Sequence, residues 1–442
     1  MRENRADPGD AIDPACTGLL KVVARTEHGK LGAMPDFVRE LTECGRSRIA
    51  IRLAAAAFWI WAGIPGAHAQ FTPNFQVNAP YAIVVDHESG TVLFERSADT
   101  PRPPASLAKL MTMELVFGEI KGGELKLEEE LVVSENAWRK GGAPSRGSTM
   151  FASIHSRIRV TDLIQGALVP SGNDACIVFA EGIAGNEDQF ARMMTARARE
   201  LGLKTADFRN STGLHDPDQV ISARDLARLA SHIIRTYPDL YKYFGQHEFT
   251  WNKIRQTNRN PLLEMNIGAD GLKTGFIKES GYGLVGSAVQ DGQRLIVVIL
   301  GAETDKERAN EARRLLDWAF RSFESRRLFS AGAVVGQARV FGGDERYVPL
   351  TGSGPIYLLS PRGGGDKFVA RVHYTGPLSA PIAKGAEVAR LKVMRANSVA
   401  LDVPLYASKE IGEGSLIQRA YDGTVEIAGG WVRGGINAVL KR

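Results

Sequence analysis

The apolar positions of this chain change period four times, and each change marks a switch between strand and helix. Tyr81–Asp86 and Val92–Arg96 are short and rich in Val, Ile and aromatic residues, and His87–Thr91 between them carries turn chemistry; the pattern predicts a β-hairpin. From Ser106 to about Phe117 the spacing becomes helical, with Leu107, Leu110, Met111, Glu114 and Leu115 three or four apart. Residues 160–235 read as mostly helical, broken by loops rich in Gly, Asn, Asp and Pro. Sheet-like segments return at Gly271–Phe276 and Gly283–Val289, and Asp291–Gly292 makes a tight turn into Leu295–Leu300. That last run is apolar throughout, which fits a central strand buried on both faces. An amphipathic helix over about Asp305–Phe323 follows. Strands, then helices, then strands imply an α+β fold, an antiparallel sheet with helices packed on it. After Arg326 the helical period disappears, and Val-rich segments such as Lys367–Tyr374 and Ala389–Met394 alternate with Gly and Pro turns, predicting a small all-β second domain.

The two ends follow other rules. Arg46, Arg48 and Arg52 precede the apolar run Leu53–Gly63; Pro65 breaks it, and Ala67-His68-Ala69 places small residues where a signal peptidase cuts. Residues 46–69 therefore read as a secretory signal peptide, with the exported mature chain starting at Gln70 and an uncleaved N-terminal anchor as the alternative. Residues 1–45 are too long for a signal n-region and read as an extension from an early start codon, with a short cytoplasmic tail as the alternative. In the C-terminal segment, 411–442, Ile417, Ala420, Tyr421, Val425, Ala428, Trp431, Val432, Ile436 and Val439 form an apolar stripe with Arg419, Arg433 and Lys441 off it, as in a helix lying on a membrane surface. Five glycines between 423 and 435 weaken that helix, and a tail docked on the protein is the alternative.

Composition adds bounds. At 442 residues, 44% hydrophobic and 24% charged, the chain suits two globular domains, here 70–326 and 327–410. A net charge of +5 suits an anionic envelope and is far from a nucleic-acid-binding signature. Export would leave Cys176 as the only cysteine, so no internal disulfide is expected, and its place calls for a small buried packer. The eight histidines, His215 beside Asp216 included, show no metal-ligand spacing, and no metal or cofactor is expected.

The chemistry concentrates in three short motifs. Ser106-Leu-Ala-Lys109 opens the first helix, Ser171-Gly-Asn173 sits in a loop, and Lys273-Thr-Gly275 lies on a strand. A lone Ser after prolines is ordinarily a helix cap. Lys109 changes that reading, because i and i+3 share a helix face and its amine can reach the hydroxyl. A lysine in a first helical turn faces the positive end of the dipole; burial and nearby cations, Lys273 among them, would lower its pKa until it could take the serine proton. Lys273 offers a cation to orient substrate, Thr274 a hydroxyl, and Gly275 room for a ligand along a strand edge.

In order and context, the three motifs resemble those of the penicillin-binding protein and serine β-lactamase superfamily. Pro103–Thr112, Pro170–Cys176 and Asp270–Gly275 are most similar to low-molecular-mass D-alanyl-D-alanine carboxypeptidases, and the resemblance spans about residues 75–435. It implies a catalytic domain with the sheet and helices of the β-lactamase and DD-peptidase type, followed by the β-rich domain. It also implies an enzyme that removes the terminal D-Ala from peptidoglycan stem pentapeptides through an acyl-enzyme and is acylated by β-lactams. Ser106 would be the nucleophile, Lys109 the base and Ser171 a proton relay. Asn173, Lys273, Thr274 and Gly275 would hold the peptide, the backbone N–H groups of Ser106 and Phe276 would form the oxyanion hole, and Arg308 would anchor a carboxylate. The C-terminal segment would rest on the outer face of the inner membrane. Many relatives have His where this chain has Phe276. A β-lactamase would need a deacylating carboxylate that the sequence does not display; a DD-endopeptidase or a catalytically silent penicillin sensor are the other readings.

Overall fold

Alternation places the central strands on two cores at once. The computed structural model describes residues 20–26, 76–363, 367–395, 398–420 and 424. The leader at 46–69, most of the extension at 1–45 and most of the C-terminal stripe lie outside the described residues. Five strands, β1 (Tyr81–Asp86), β2 (Val92–Arg96), β3 (Ala269–Ile277), β4 (Gly281–Gln290) and β5 (Gln293–Ala302), form one antiparallel sheet in the order β2-β1-β5-β4-β3. The apolar run Leu295–Leu300 is indeed the central strand, while β3, which carries Lys273-Thr-Gly275, is an edge. Asp291 and Gly292 both have positive φ, 50° and 76°, the turn that joins β4 to β5 without splaying them.

Side chains alternate across a strand. Ile83, Val285, Ile296 and Val298 enter a core shared with helices α1 (Lys109–Gly122), α2 (Val160–Leu168), α3 (Asn173–Ala184), α4 (Glu187–Glu200) and α5 (Ala223–Thr236). Val84, Leu284, Val297 and Ile299 enter a second core against Ala312, Leu315, Leu316 and Ala319 of α6 (Asp305–Ser322).

Contacts divide the chain into two compact units, one of them residues 70–325 with 359–363. The other is β-rich. Its largest sheet includes Val334–Phe341, Tyr347–Thr351, Phe368–Tyr374, Glu387–Arg395 and Ser398–Ala407, with Leu20–Thr26 running parallel to Phe368–Tyr374 at one edge. Ala338, Val348, Leu350, Leu391, Val393 and Leu405 fill its core.

Candidate active site

Ser106 stands in a single 3-10 turn, Ala105–Ala108, and the α-helix proper begins at Lys109. The cap position belongs to Pro104, which supplies no side-chain bond, so the Ser106 hydroxyl is not consumed in capping. It accepts instead from Lys109 Nζ at 3.1 Å. The turn is held from outside as well. Ala105 has a φ of 51°, and a Cβ on Gly213 would meet the Ala105 carbonyl oxygen at 1.8 Å.

Lys109 is completely buried, and its Nζ also donates to Asn173 Oδ1 at 2.8 Å and to the Thr212 carbonyl at 2.5 Å. Burial pushes its pKa down to about 8, with Arg259 acting in the same direction and Cys176 and Asp174 opposing. Lys273, the expected cation, is itself held well below an ordinary lysine by its own burial, then by Lys109 and Arg259, so the two amines each disfavour charge on the other. Lys273 Nζ donates to Ser171 Oγ at 2.9 Å. Lys109 thus joins the first motif to the second, and Lys273 joins the second to the third.

The second motif is a strained turn clamped by one carboxylate. Ser171 has a φ of 66°, and a Cβ on Gly172 would lie 2.7 Å from Asp174 Oδ1 and 2.8 Å from the Gly166 carbonyl. Asp174, also buried, accepts from Thr149 Oγ1 at 2.6 Å and from the Met150 and Ala152 amides at 3.0 Å each. Asn173 N donates to the Ser148 carbonyl at 2.8 Å, so Ser171 and Asn173 are aimed by a framework distant in sequence.

Packing also calls for glycine at 275. A Cβ there would meet the Pro104 carbonyl at 3.0 Å and Ala105 Cβ and Leu107 Cγ at 3.2 Å, so the glycine lets β3 close onto the serine turn. Thr274 is buried beside Lys273, and Phe276 is half exposed, its ring centroid 4.2 Å from that of Tyr282. Arg308 is buried at the start of α6. Its Nη1 donates to the Gly283 carbonyl at 3.3 Å, opposite Gly275 in the strand register, its Nη2 pairs with Asp305, and its charge bears on Lys273. It makes no hydrogen bond to the three motifs among the described residues.

Two groups escaped the reading of the sequence. Asn210–Gly213 supplies the carbonyl that holds Lys109; Asn210 Oδ1 accepts from Thr212 N, Thr212 Oγ1 and Gly213 N at 3.2, 2.9 and 2.8 Å, and Thr112 Oγ1 donates to the Ser211 carbonyl at 2.6 Å. Its Asn-Ser-Thr-Gly composition is a turn signal, but nothing in it points to Lys109. Arg259 donates to Ser148 Oγ at 2.7 Å and bears on both lysines. Cys176 is a buried packer whose thiol is pushed up to about 11 by burial, and His215 stays apart, 3.9 Å from Glu279.

A fully buried amine near pKa 8, in contact with a serine hydroxyl at the rim of an edge strand, is equipped for nucleophilic acyl transfer. Comparison with known proteins agrees. Residues 67–304 match the family described as D-alanyl-D-alanine carboxypeptidase, and residues 323–413 match the penicillin-binding protein 5 C-terminal domain. The D-alanyl-D-alanine carboxypeptidase DacC of Escherichia coli is 38% identical over 375 residues, 84% of this chain and 94% of that one. DacA of Haemophilus influenzae is 35% identical over 350 residues, 78% of this chain and 88% of that one. The crystal structure of penicillin-binding protein 5 from Haemophilus influenzae superposes with a TM-score of 0.72 at 35% identity, covering 77% of this chain and 100% of that one. With both domains matched in succession over a serine–lysine centre, the chain belongs to the D-alanyl-D-alanine carboxypeptidase family of penicillin-binding proteins.

Proposed function

We propose that this serine-type D-alanyl-D-alanine carboxypeptidase works through Ser106 and Lys109 on the stem pentapeptide of peptidoglycan. Lys273, Thr274 and Arg308 draw the terminal carboxylate of the peptide toward β3, and Asn173 holds its backbone. Neutral Lys109 takes the proton as Ser106 Oγ bonds to the carbonyl carbon of the penultimate D-Ala. The backbone N–H groups of Ser106 and Phe276 receive the oxyanion. The C–N bond then breaks, and the leaving D-Ala nitrogen takes, through Ser171, the proton that Lys109 accepted, which returns Lys109 to its neutral form. Water, deprotonated by Lys109, hydrolyses the acyl-enzyme and restores Ser106. Penicillin enters by the same attack on its lactam amide; its leaving nitrogen stays tethered, so the acyl-enzyme persists.

The observation that carries this reading is the completely buried Lys109 amine touching Ser106, Asn173 and Thr212 at once. Ser106→Ala should lose D-Ala release from pentapeptide muropeptides and covalent labelling by fluorescent penicillin while keeping its circular dichroism. Labelling at the normal rate would remove Ser106 from the role. Wild-type products consisting of cleaved cross-links without free D-Ala, read by mass spectrometry, would replace the carboxypeptidase with an endopeptidase.

The location belongs to the same proposal. Residues 46–69 export the protein, 70–326 and 327–410 form its two domains, and 411–442 rests on the outer face of the inner membrane. Leu416 and Ile417, 78% and 83% exposed at the head of the helical turn 416–420, support a membrane-surface helix there.

A further inference from the structure

Asp270 stands three residues before Lys273 on β3, and the ladder to β4 changes step around it. Ala269 faces Ala288, but Gly271 faces Ser287, so Asp270 is an extra residue, a β-bulge. From Gly271 to Ile277 the register is regular, and it sets Lys273 opposite Val285. Without the extra residue Lys273 would stand opposite Leu284, and a slip of one residue turns a side chain to the other face of a sheet. The two faces lead to different places. Val285 enters the core shared with α2 and α3, whose connecting loop carries Ser171, whereas Leu284 enters the core against α6.

The bulge is held from several sides. The Asp270 carboxylate accepts from Tyr241 Oη at 2.8 Å, and Arg294 Nη1 lies 2.9 Å from its Oδ1 and 2.7 Å from its Oδ2. Arg294 belongs to β5, so it spans β4 to reach Asp270, and the same nitrogen donates to Ser287 Oγ at 2.6 Å. Its guanidinium also rests 5.4 Å from the Tyr241 ring centroid. Burial, then the charge of Asp270, holds the Tyr241 hydroxyl above its ordinary pKa, so it stays a donor. On the backbone side, Asn260 Nδ2 donates to the Gly271 carbonyl at 2.8 Å, and a Cβ on Gly245 would come within 2.9 Å of the Asp270 carbonyl. Among the described residues, none of these side chains hydrogen-bonds to Ser106, Lys109, Ser171 or Lys273. The Asp270 side chain is 36% exposed, and an ion pair so open to water adds little to stability. What it does add is a fixed place for the extra residue. We infer that Asp270 is a positioning residue: locked by Arg294 and Tyr241, it fixes the bulge that aims Lys273 at Ser171. It acts only through Lys273, so the inference rests on the role proposed for Lys273 above.

The test is whether the loss depends on Lys273. Asp270→Ala should slow acylation by fluorescent penicillin about tenfold, a fraction of what an ångström of misplacement brings. In a Lys273→Ala background the same substitution should change the rate by less than about twofold, because no amine is left to aim. Arg294→Met should give the same loss as Asp270→Ala, and the variant carrying both no more, since the two form one clamp. Urea midpoints and near-ultraviolet circular dichroism report folding in each. Should Asp270→Ala fail to fold, Tyr241→Phe, which removes one hydroxyl, carries the same comparison with a loss of roughly threefold beside Lys273 and none without it. An equal loss with and without Lys273 would make the clamp ordinary support for the sheet and overturn the inference. So would wild-type acylation in Asp270→Ala or Arg294→Met. Wild-type acylation in Lys273→Ala itself would instead bring down the role proposed for Lys273, and the positioning role with it.

Discussion

A lysine cannot be both fully buried and an ordinary cation, and Lys109 resolves the conflict by losing proton affinity to burial, which brings its pKa down to about 8. With a pKa of about 8, roughly a tenth of the amine is neutral at pH 7, against almost none at the ordinary value. If the neutral form is the base, the rate constant for acylation by penicillin should rise about tenfold per pH unit below 8 and level off above it. A flat profile between pH 6 and 9 would remove Lys109 from that role. Lys109→Ala should cost nearly as much as Ser106→Ala, and the double mutant little more, since the two act as a unit. Arg308 offers a finer test. If it draws in the carboxylate of the peptide, Arg308→Ala should impair D-Ala release several-fold more than acylation by a β-lactam; equal losses in both would make it only a support for Gly283. Residue types and spacing made Ser106, Lys109 and Lys273 legible in the sequence. Arg259 was not legible, because its influence depends on where Ser148 and two buried lysines come to lie.

At the scale of elements, local period was a sound guide. The hairpin, the central strand and α6 appear within two residues of their expected bounds, since each draws its signal from its own side chains. The loops around the site were harder. Asn210–Gly213 contributes a carbonyl and a close backbone approach, and neither leaves a residue-specific mark on sequence. Gly213 has a φ of 84° and no room for a Cβ against Ala105. Gly213→Ala should therefore displace the serine turn, lowering penicillin acylation at least tenfold and stability by about 1–2 kcal/mol, read from the urea midpoint of the full chain. Asp174 is the corresponding lever under the second motif. Asp174→Ala leaves four buried donors, Thr149 Oγ1 and the amides of Met150, Ala152 and Ala175, without a partner and should cost about 3 kcal/mol or more. Wild-type acylation in Gly213→Ala would show that the contact is incidental.

At the scale of the whole molecule, the proposed chemistry and the proposed attachment fall in different segments. No described helix is long and apolar enough to cross a membrane. If the exported protein is held at the membrane by its C-terminal segment, deleting residues 415–442 should shift it to the soluble periplasmic fraction and leave D-Ala release intact, since the three motifs lie far upstream. Full-length mature protein that is soluble in low salt without detergent would sink the anchor, and inactivity of the truncated form would make the segment part of the fold. Across the chain, the sequence by itself determined the class of each long element, the α+β to all-β succession, and three motifs whose order carries a family resemblance. These follow from side-chain period and residue chemistry, which are local. Only the tertiary structure decided what those residues become. The partners of Lys109 are 3, 64 and 103 positions away, and those of Lys273 and Ser171 are 102 positions apart. The depth of burial that lowers the pKa of one amine, and the approach that requires glycine at 213 and 275, arise when distant segments pack, and packing is a property of the folded chain alone.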